Sequence, residues 1–320
     1  MEYRKLGNTG LVVSEIAYGS WLTFASQVDL SRAKDIIRTA FDLGINHIDT
    51  ADVYAKGAAE ELLGNLLPGG YRRQDYVIAS KVFWPMGEGV NDKGLSRKHI
   101  FDSINGSLQR LKLEYLDIYY CHRYDPETPL SETVEAMKDV IRMGKSLYWG
   151  VSEWTADQIA EAYTICRERG WPLPVVDQPS YSILNRSIER RIMQVCTEKG
   201  IGLAVFSPLA QGILTGKYSG GKIPEGSRAS IEGLNMFMRD RVSDRELLDR
   251  VDMLAPIAKR YGISMGQLAI AFILSRPAVS SVIVGASNGT QLRENAAASG
   301  VKLDSETVKE IEELFPLSAA

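Results

Sequence analysis

Asp49, Tyr54, Lys81 and His122 bring a carboxylate, a phenol, an ammonium and an imidazole to places where apolar runs break off. The runs are Asn46-His47-Ile48-Asp49, Tyr76-Val77-Ile78-Ala79-Ser80-Lys81 and Leu116-Asp117-Ile118-Tyr119-Tyr120-Cys121-His122, and Tyr54 lies in the short connection that follows Asp49. Such groups at neighbouring strand ends can deliver a proton to a carbonyl oxygen. An ammonium in a crowded interior is costly unless paired, which makes Asp49 the natural counter-ion of Lys81. A positive charge beside Tyr54 favours the phenolate and lowers the tyrosine's proton affinity. The expectation is therefore Tyr54 as general acid, with His122 orienting the carbonyl and assisting the transfer.

Strands must hold these groups, and the pattern supplies them. Strand-like runs end near Gly19, Asp49, Lys81, His122, Ser152, Gln178, Ser207 and Gly285. Amphipathic stretches lie between them: Arg32–Leu43, Ala59–Leu67, Lys98–Leu111, Leu130–Met143, Asp157–Arg169 and Ile188–Lys199. Regular alternation of this kind predicts an α/β fold, a (β/α)8 TIM barrel, with residues 1–320 as one domain. In such barrels reactive residues gather at the C-terminal strand ends, where the four residues above fall. Thr155-Ala156-Asp157-Gln158 and Ser264-Met265-Gly266-Gln267 fit capping boxes, and Gly44, Gly170, Gly200 and Gly262 are placed to close helices. Three additions are expected. Tyr3–Lys5 and Leu11–Val13 form an N-terminal β-hairpin that plugs the barrel's N-terminal end. Between the seventh and eighth barrel strands lie a long loop, Gly212–Ser243, and an extra helix, Asp244–Tyr261, ahead of the barrel's own Ser264–Arg276. A C-terminal helix covers Asp304–Phe315.

Composition narrows the class of function. Acids (40) slightly outnumber dispersed Lys and Arg (37), so nothing favours nucleic acid as a partner. The longest apolar run, Leu268 to Leu274, falls far short of the roughly 20 residues that span a bilayer, so no membrane segment is expected. Cys121, Cys166 and Cys196 are odd in number and far apart, which fits a reducing cytoplasm better than a disulfide framework. No metal site is expected either, because His47, His99 and His122 lack ligand spacing; His99 reads as a surface helix residue.

Polar residues also end later strands: Ser152, Gln178 and Ser207, beside Phe206, whose flat face could stack on a nicotinamide ring. Gly285-Ala286-Ser287-Asn288 opens a helix continuing through Gln291, Glu294 and Asn295. Free N–H groups at a helix start bind phosphate, although an ordinary Asn288 cap reads equally well there. No Gly-x-Gly-x-x-Gly follows a strand, and Gly212-Ile213-Leu214-Thr215-Gly216-Lys217 is one residue short of a P-loop.

With these residues in hand, the chain resembles the aldo-keto reductases over nearly its whole length. The resemblance is carried by Tyr3-Arg4-Lys5-Leu6-Gly7, His47–Tyr54, Ser80-Lys81-Val82, Tyr120-Cys121-His122-Arg123 and Gly150-Val151-Ser152. Later come Gln178-Pro179-Ser180-Tyr181, Phe206–Gly212 and Gly285–Asn288. Within that superfamily it is similar to the branch of potassium-channel β-subunits and bacterial glyceraldehyde-type reductases. The resemblance implies NADPH without a Rossmann fold and reduction of aldehydes, less readily ketones, with Asp49, Tyr54, Lys81 and His122 as the catalytic tetrad. It also implies a cofactor site of Trp21, Asp49, Ser152, Gln178, Phe206, Ser207, Leu209, Lys217, Arg228, Gly285, Ser287, Gln291, Glu294 and Asn295. Trp21, Tyr54, Trp84 and His122 would line the substrate pocket. Glu153, Ala286-Ser287 and Gln291 depart from many relatives, leaving Arg228 as the cationic partner for a 2′-phosphate. The resemblance leaves a homo-oligomer open. It also carries a rival reading, an NADPH-sensing regulatory subunit of a channel, against which His122 stands because channel β-subunits tend to carry Asn there.

Overall fold

A computed structural model describes residues 1–21, 30–225, 227–230 and 239–317, with the Arg228, Arg239 and Asp240 side chains outside the description. Its centre is a closed barrel of eight parallel strands. They are β3 (Ile16–Gly19), β4 (His47–Asp49), β5 (Val77–Val82), β6 (Leu116–Cys121), β7 (Ser146–Val151), β8 (Val176–Asp177), β9 (Gly202–Phe206) and β10 (Val279–Val284). β10 closes the ring by pairing with both β9 and β3. The antiparallel hairpin β1 (Tyr3–Lys5) and β2 (Val12–Ser14) precedes it. Barrel and hairpin thus agree with the sequence reading.

Alternation along each strand divides the core in two. Val77, Ala79, Ile118, Tyr120, Val176 and Ala204 pack inside the barrel together with Leu6 and Val13 of the hairpin, which seal its floor. The intervening Ile48, Ile78, Tyr119, Cys121, Trp149 and Val205 pack outward under the helices. Gly150 is required by this interior. A Cβ there would lie 2.3 Å from the Val176 carbonyl oxygen and 3.0 Å from the Tyr120 ring.

The helices α1 (Leu30–Asp42), α2 (Ala58–Leu66), α3 (Arg97–Leu111), α4 (Leu130–Arg142), α5 (Ala156–Glu168) and α6 (Ile192–Lys199) follow successive strands. Both expected capping boxes form, at Thr155 and at Ser264. The stretch expected as one helix over Ile188–Lys199 divides, because a 3-10 turn at Ser187–Glu189 is held separately by Arg186 and Tyr181 on the Glu189 carboxylate. His99 is buried rather than on the surface, in a stripe with Ser103 and Ser107 at helical spacing.

Between β9 and β10 the chain adds α7 (Arg239–Ser243), α8 (Arg245–Asp252) and α9 (Leu254–Arg260) before α10 (Met265–Leu274). The single extra helix expected over Asp244–Tyr261 is broken at Met253, because Pro256 has no N–H to give to the carbonyl four residues back. Within the expected loop, residues 226 and 231–238 lie outside the described residues. After β10 come α11 (Gly289–Ala296) and the C-terminal α12 (Ser305–Leu314).

Candidate functional site

The two-residue period that sends Val77 and Ala79 into the barrel sends Lys81 there as well, one layer nearer the C-terminal rim. On β4 the same rule points Asp49 inward, in register with Ala79. The Lys81 Nζ donates to Asp49 Oδ2 at 2.6 Å, to the Thr50 carbonyl at 2.7 Å and to the Tyr54 hydroxyl at 3.2 Å. The Lys81 side chain is fully buried. Burial pulls the lysine's pKa down, but the Asp49 and Tyr54 oxygens outweigh it and hold the group above its ordinary value, so the ammonium persists. At Tyr54 the balance goes the other way. Burial raises its pKa and outweighs the nearby Lys81 charge, so the net shift is upward, not downward as the sequence implied. Tyr54 is thus a protonated phenol, with Lys81 opposing part of the cost of releasing that proton.

Tyr54 is presented by a strained turn. After it, Ala55 (φ 51°), Lys56 (φ 53°) and Gly57 (φ 93°) are all left-handed, an arrangement that costs energy at the two non-glycine positions and must be held from outside. α3 provides the hold. Ser103 donates to Asp52 Oδ2 at 2.7 Å, and Arg110 Nε donates to Glu60 Oε2 at 2.7 Å, with Ser80 on the other Glu60 oxygen. A Cβ on Gly57 would lie 2.7 Å from Arg110 Cδ, so only glycine lets the turn close onto α3. Thr50, Asp52, Glu60, Ser103 and Arg110 were not singled out from sequence. The one signal available was an acid, Glu60, between apolar Ala59 and Leu63 on a helix face.

His122 follows β6 and enters from the far side of Lys81. Its ring centroid is 6.0 Å from that of Tyr54 and 6.4 Å from that of Trp84, while Trp21 lies 6.5 Å from Tyr54. Burial, with the Lys81 and Arg123 charges, drives the His122 pKa well down, so the imidazole is neutral. Its Nδ1 is buried and has no hydrogen-bond partner among the described residues. Trp21 and Trp84 are each 38% exposed, as walls of an opening are and packed core residues are not. The four catalytic candidates and both tryptophans thus converge on one mouth of the barrel.

The nicotinamide candidates border the same mouth. Gln178 Nε2 donates to Asp49 Oδ1 at 2.8 Å, and the Ser152 hydroxyl donates to the Gln178 carbonyl at 2.8 Å. Phe206 ends β9 half-buried against the inner core. The backbone then turns through Ser207 (φ 58°), Ala210 (φ 46°), Gln211 (φ 56°) and Gly212 (φ 99°). Lys217 overlies this loop: its Nζ would be 2.8 Å from a Cβ on Gly212. Across β10, Asn288 caps α11 by accepting from the Gln291 N–H, Gln291 Oε1 accepts from the Ser287 N–H, and Asn295 donates to the Gly285 carbonyl. The ordinary cap reading of Asn288 is therefore realised. Leu209 is half-buried beside this loop, and Glu294 is exposed on α11.

The aldo/keto reductase family model matches residues 15–315. The chain belongs to the aldo/keto reductase family. It is 46% identical over 317 residues, 98% of this chain and 96% of the relative, to a rice (Oryza sativa subsp. japonica) protein named probable voltage-gated potassium channel subunit beta. An Arabidopsis thaliana protein of the same name is 46% identical over 301 residues, 93% of this chain and 91% of its own. Members of this family generally bind NADPH or NADP+. The residues around the mouth fit that group. Inward amide and hydroxyl groups sit beside the tetrad, a flat ring closes β9, and a cationic side chain overlies a loop of left-handed backbone.

Proposed function

We propose that this chain reduces aldehydes, and ketones less readily, to alcohols, with Tyr54 as proton donor and NADPH as reductant. The observation that carries the reading is the Lys81 ammonium, paired with Asp49 at 2.6 Å and donating to the Tyr54 hydroxyl at 3.2 Å, beside a neutral His122. A bound NADPH supplies the hydride that the carbonyl carbon accepts. The side chains do the rest. His122 donates a hydrogen bond to the carbonyl oxygen without adding charge, Tyr54 gives that oxygen its proton, and Lys81 stabilises the phenolate left behind. Asp49 keeps Lys81 charged and in place. Ser152 and Gln178 would hold the carboxamide and Phe206 would stack on the ring. Ser207, Leu209 and Lys217 would meet the pyrophosphate, with Arg228, Gly285, Ser287, Gln291, Glu294 and Asn295 toward the adenosine end. Trp21, near Tyr54, would touch both cofactor and substrate, and Trp84 would shape the pocket. The three buried, unlinked cysteines support a cytoplasmic setting.

The names of the two plant relatives favour a second reading, in which the chain binds NADPH tightly and regulates a channel, alone or as a homo-oligomer. No helix among the described residues is long and apolar enough to cross a membrane. Consumption of NADPH and of NADH with a panel of aldehydes and ketones separates the readings. Rapid turnover with NADPH supports the reductase. Tight NADPH binding without turnover, together with co-purification of a membrane protein, overturns it in favour of the regulatory subunit.

A further inference from the structure

Arg123 follows His122 directly and is half-buried at the rim of the site. Its guanidinium carbon lies 5.6 Å from the centre of the Trp84 ring, and its Nη1 donates to the His122 carbonyl at 2.5 Å. Its positive charge is felt at both Tyr54 and His122. Other partly buried arginines have carboxylate partners: Arg73 with Asp117, Arg110 with Glu60 and Arg186 with Glu189, each at 2.7 Å. Among the described residues, no carboxylate lies within ion-pair distance of Arg123.

The acids that could have paired with it are engaged elsewhere. Asp125, two residues on, accepts from the Leu95 and Glu127 N–H groups and from the Thr128 hydroxyl. Glu153, at the end of the adjacent strand β7, accepts from the Ser180 N–H. A partly desolvated cation is costly without a counter-charge. One clamped between an indole face and a backbone carbonyl is held in position ahead of any ligand. Its Nε and Nη2 edge remains for a bidentate oxyanion.

Resting on the reductase reading above, we propose that Arg123 is a specificity-determining residue that selects carbonyl substrates bearing an anionic group, a carboxylate or a phosphate. The carbonyl oxygen sits between Tyr54 and His122. The remote oxyanion lies along the Trp84 side of the mouth on the guanidinium. Because that contact is made equally in the bound substrate and in the transition state, it acts mainly through KM rather than kcat.

The test uses the full chain with NADPH and two matched pairs: butanal against succinic semialdehyde, and glycolaldehyde against glycolaldehyde phosphate. The anionic member of at least one pair is expected to show a kcat/KM higher by about tenfold or more, mostly through KM, as a charge-assisted contact provides. The pair with the larger advantage names the oxyanion. The advantage should shrink as salt is added. Arg123→Met should bring the ratio near one, and Arg123→Lys, which keeps the charge but loses the fork, should retain part of it. Equal kcat/KM within both pairs, or an anion advantage that survives in Arg123→Met, overturns this assignment while leaving the reductase intact. Tight NADPH binding with turnover of none of the four compounds overturns the reductase reading instead. Should Arg123→Met fail to fold, the parent ratios, their salt dependence and Arg123→Lys still decide.

Discussion

Gln178 Nε2 donates to Asp49 Oδ1 at 2.8 Å across the width of the barrel, from the end of β8 to the end of β4. Asp49 is thereby held on both oxygens, by Lys81 on one and by Gln178 on the other. The group proposed to meet the nicotinamide carboxamide and the counter-ion of the tetrad's lysine are one hydrogen-bonded unit. On the proposed reading, this unit would couple cofactor binding to the charge state behind Tyr54.

Gln178→Leu should therefore do two things at once. Leaving a buried carboxylate oxygen unpaired should cost about 1–3 kcal/mol of stability. The NADPH dissociation constant should also rise. Chemical denaturation and fluorescence titration of the cofactor check the two parts. Unchanged stability with weaker binding would place the Gln178 amide on the cofactor alone.

Tyr54→Phe removes the transferable proton but keeps the ring between Trp21 and His122. Aldehyde turnover should fall by about 10²–10⁴-fold, the usual weight of a positioned general acid. The NADPH dissociation constant should stay close to that of the parent. Equal turnover in the two proteins would remove Tyr54 from the chemistry.

Lys81→Met leaves Asp49 charged and buried without its cation, which should destabilise the fold by about 3–5 kcal/mol. Asp49→Asn in the same chain removes the stranded charge. The double variant should then be more stable than the sum of the single losses predicts. Additive losses in a denaturation series would show that the two groups do not sense each other.

Asp52 gives a pH signature. Burial, chiefly, raises its pKa from 3.8 to about 7, against the Ser103 and Val53 hydrogen bonds. The folded protein therefore holds a proton that the unfolded chain releases between about pH 4 and pH 7. The contribution is fully present below pH 4 and is lost as the pH rises through 7. His47, lowered by burial to about 4, runs the opposite way over part of the same range. The readout is consequently the difference between parent and Asp52→Asn. The variant should gain relative stability as the pH rises from 4 to 7, by about a few kcal/mol at most. A pH-independent difference would mean that Asp52 does not titrate in this window.

Local pattern was enough to place Asp49, Lys81 and His122 at one mouth. A strand's side chains alternate strictly, and barrel strands bring their C-terminal ends to the same rim. The capping boxes at Thr155 and Ser264 were legible for the same reason, since each is a bond between residues three apart. Pro256 marks the break at Met253 in the same local way, by the N–H it lacks.

The sequence by itself determined the barrel, through the periodicity of its strands and helices, and the family, through motifs matched along the chain, and it named four candidate reactive side chains from residue types at strand ends. Only the tertiary structure decided how those side chains are tuned. Gln178 reaches Asp49 across 129 residues of sequence, and Ser103 steadies the Tyr54 turn through Asp52 across 51. The Tyr54 pKa rises although Lys81 lies beside it, because burial outweighs one neighbouring charge and burial belongs to the assembled barrel. Among the described residues, the lack of a carboxylate partner for Arg123 has the same origin. Whether a cation has a partner depends on which carboxylates the fold leaves available.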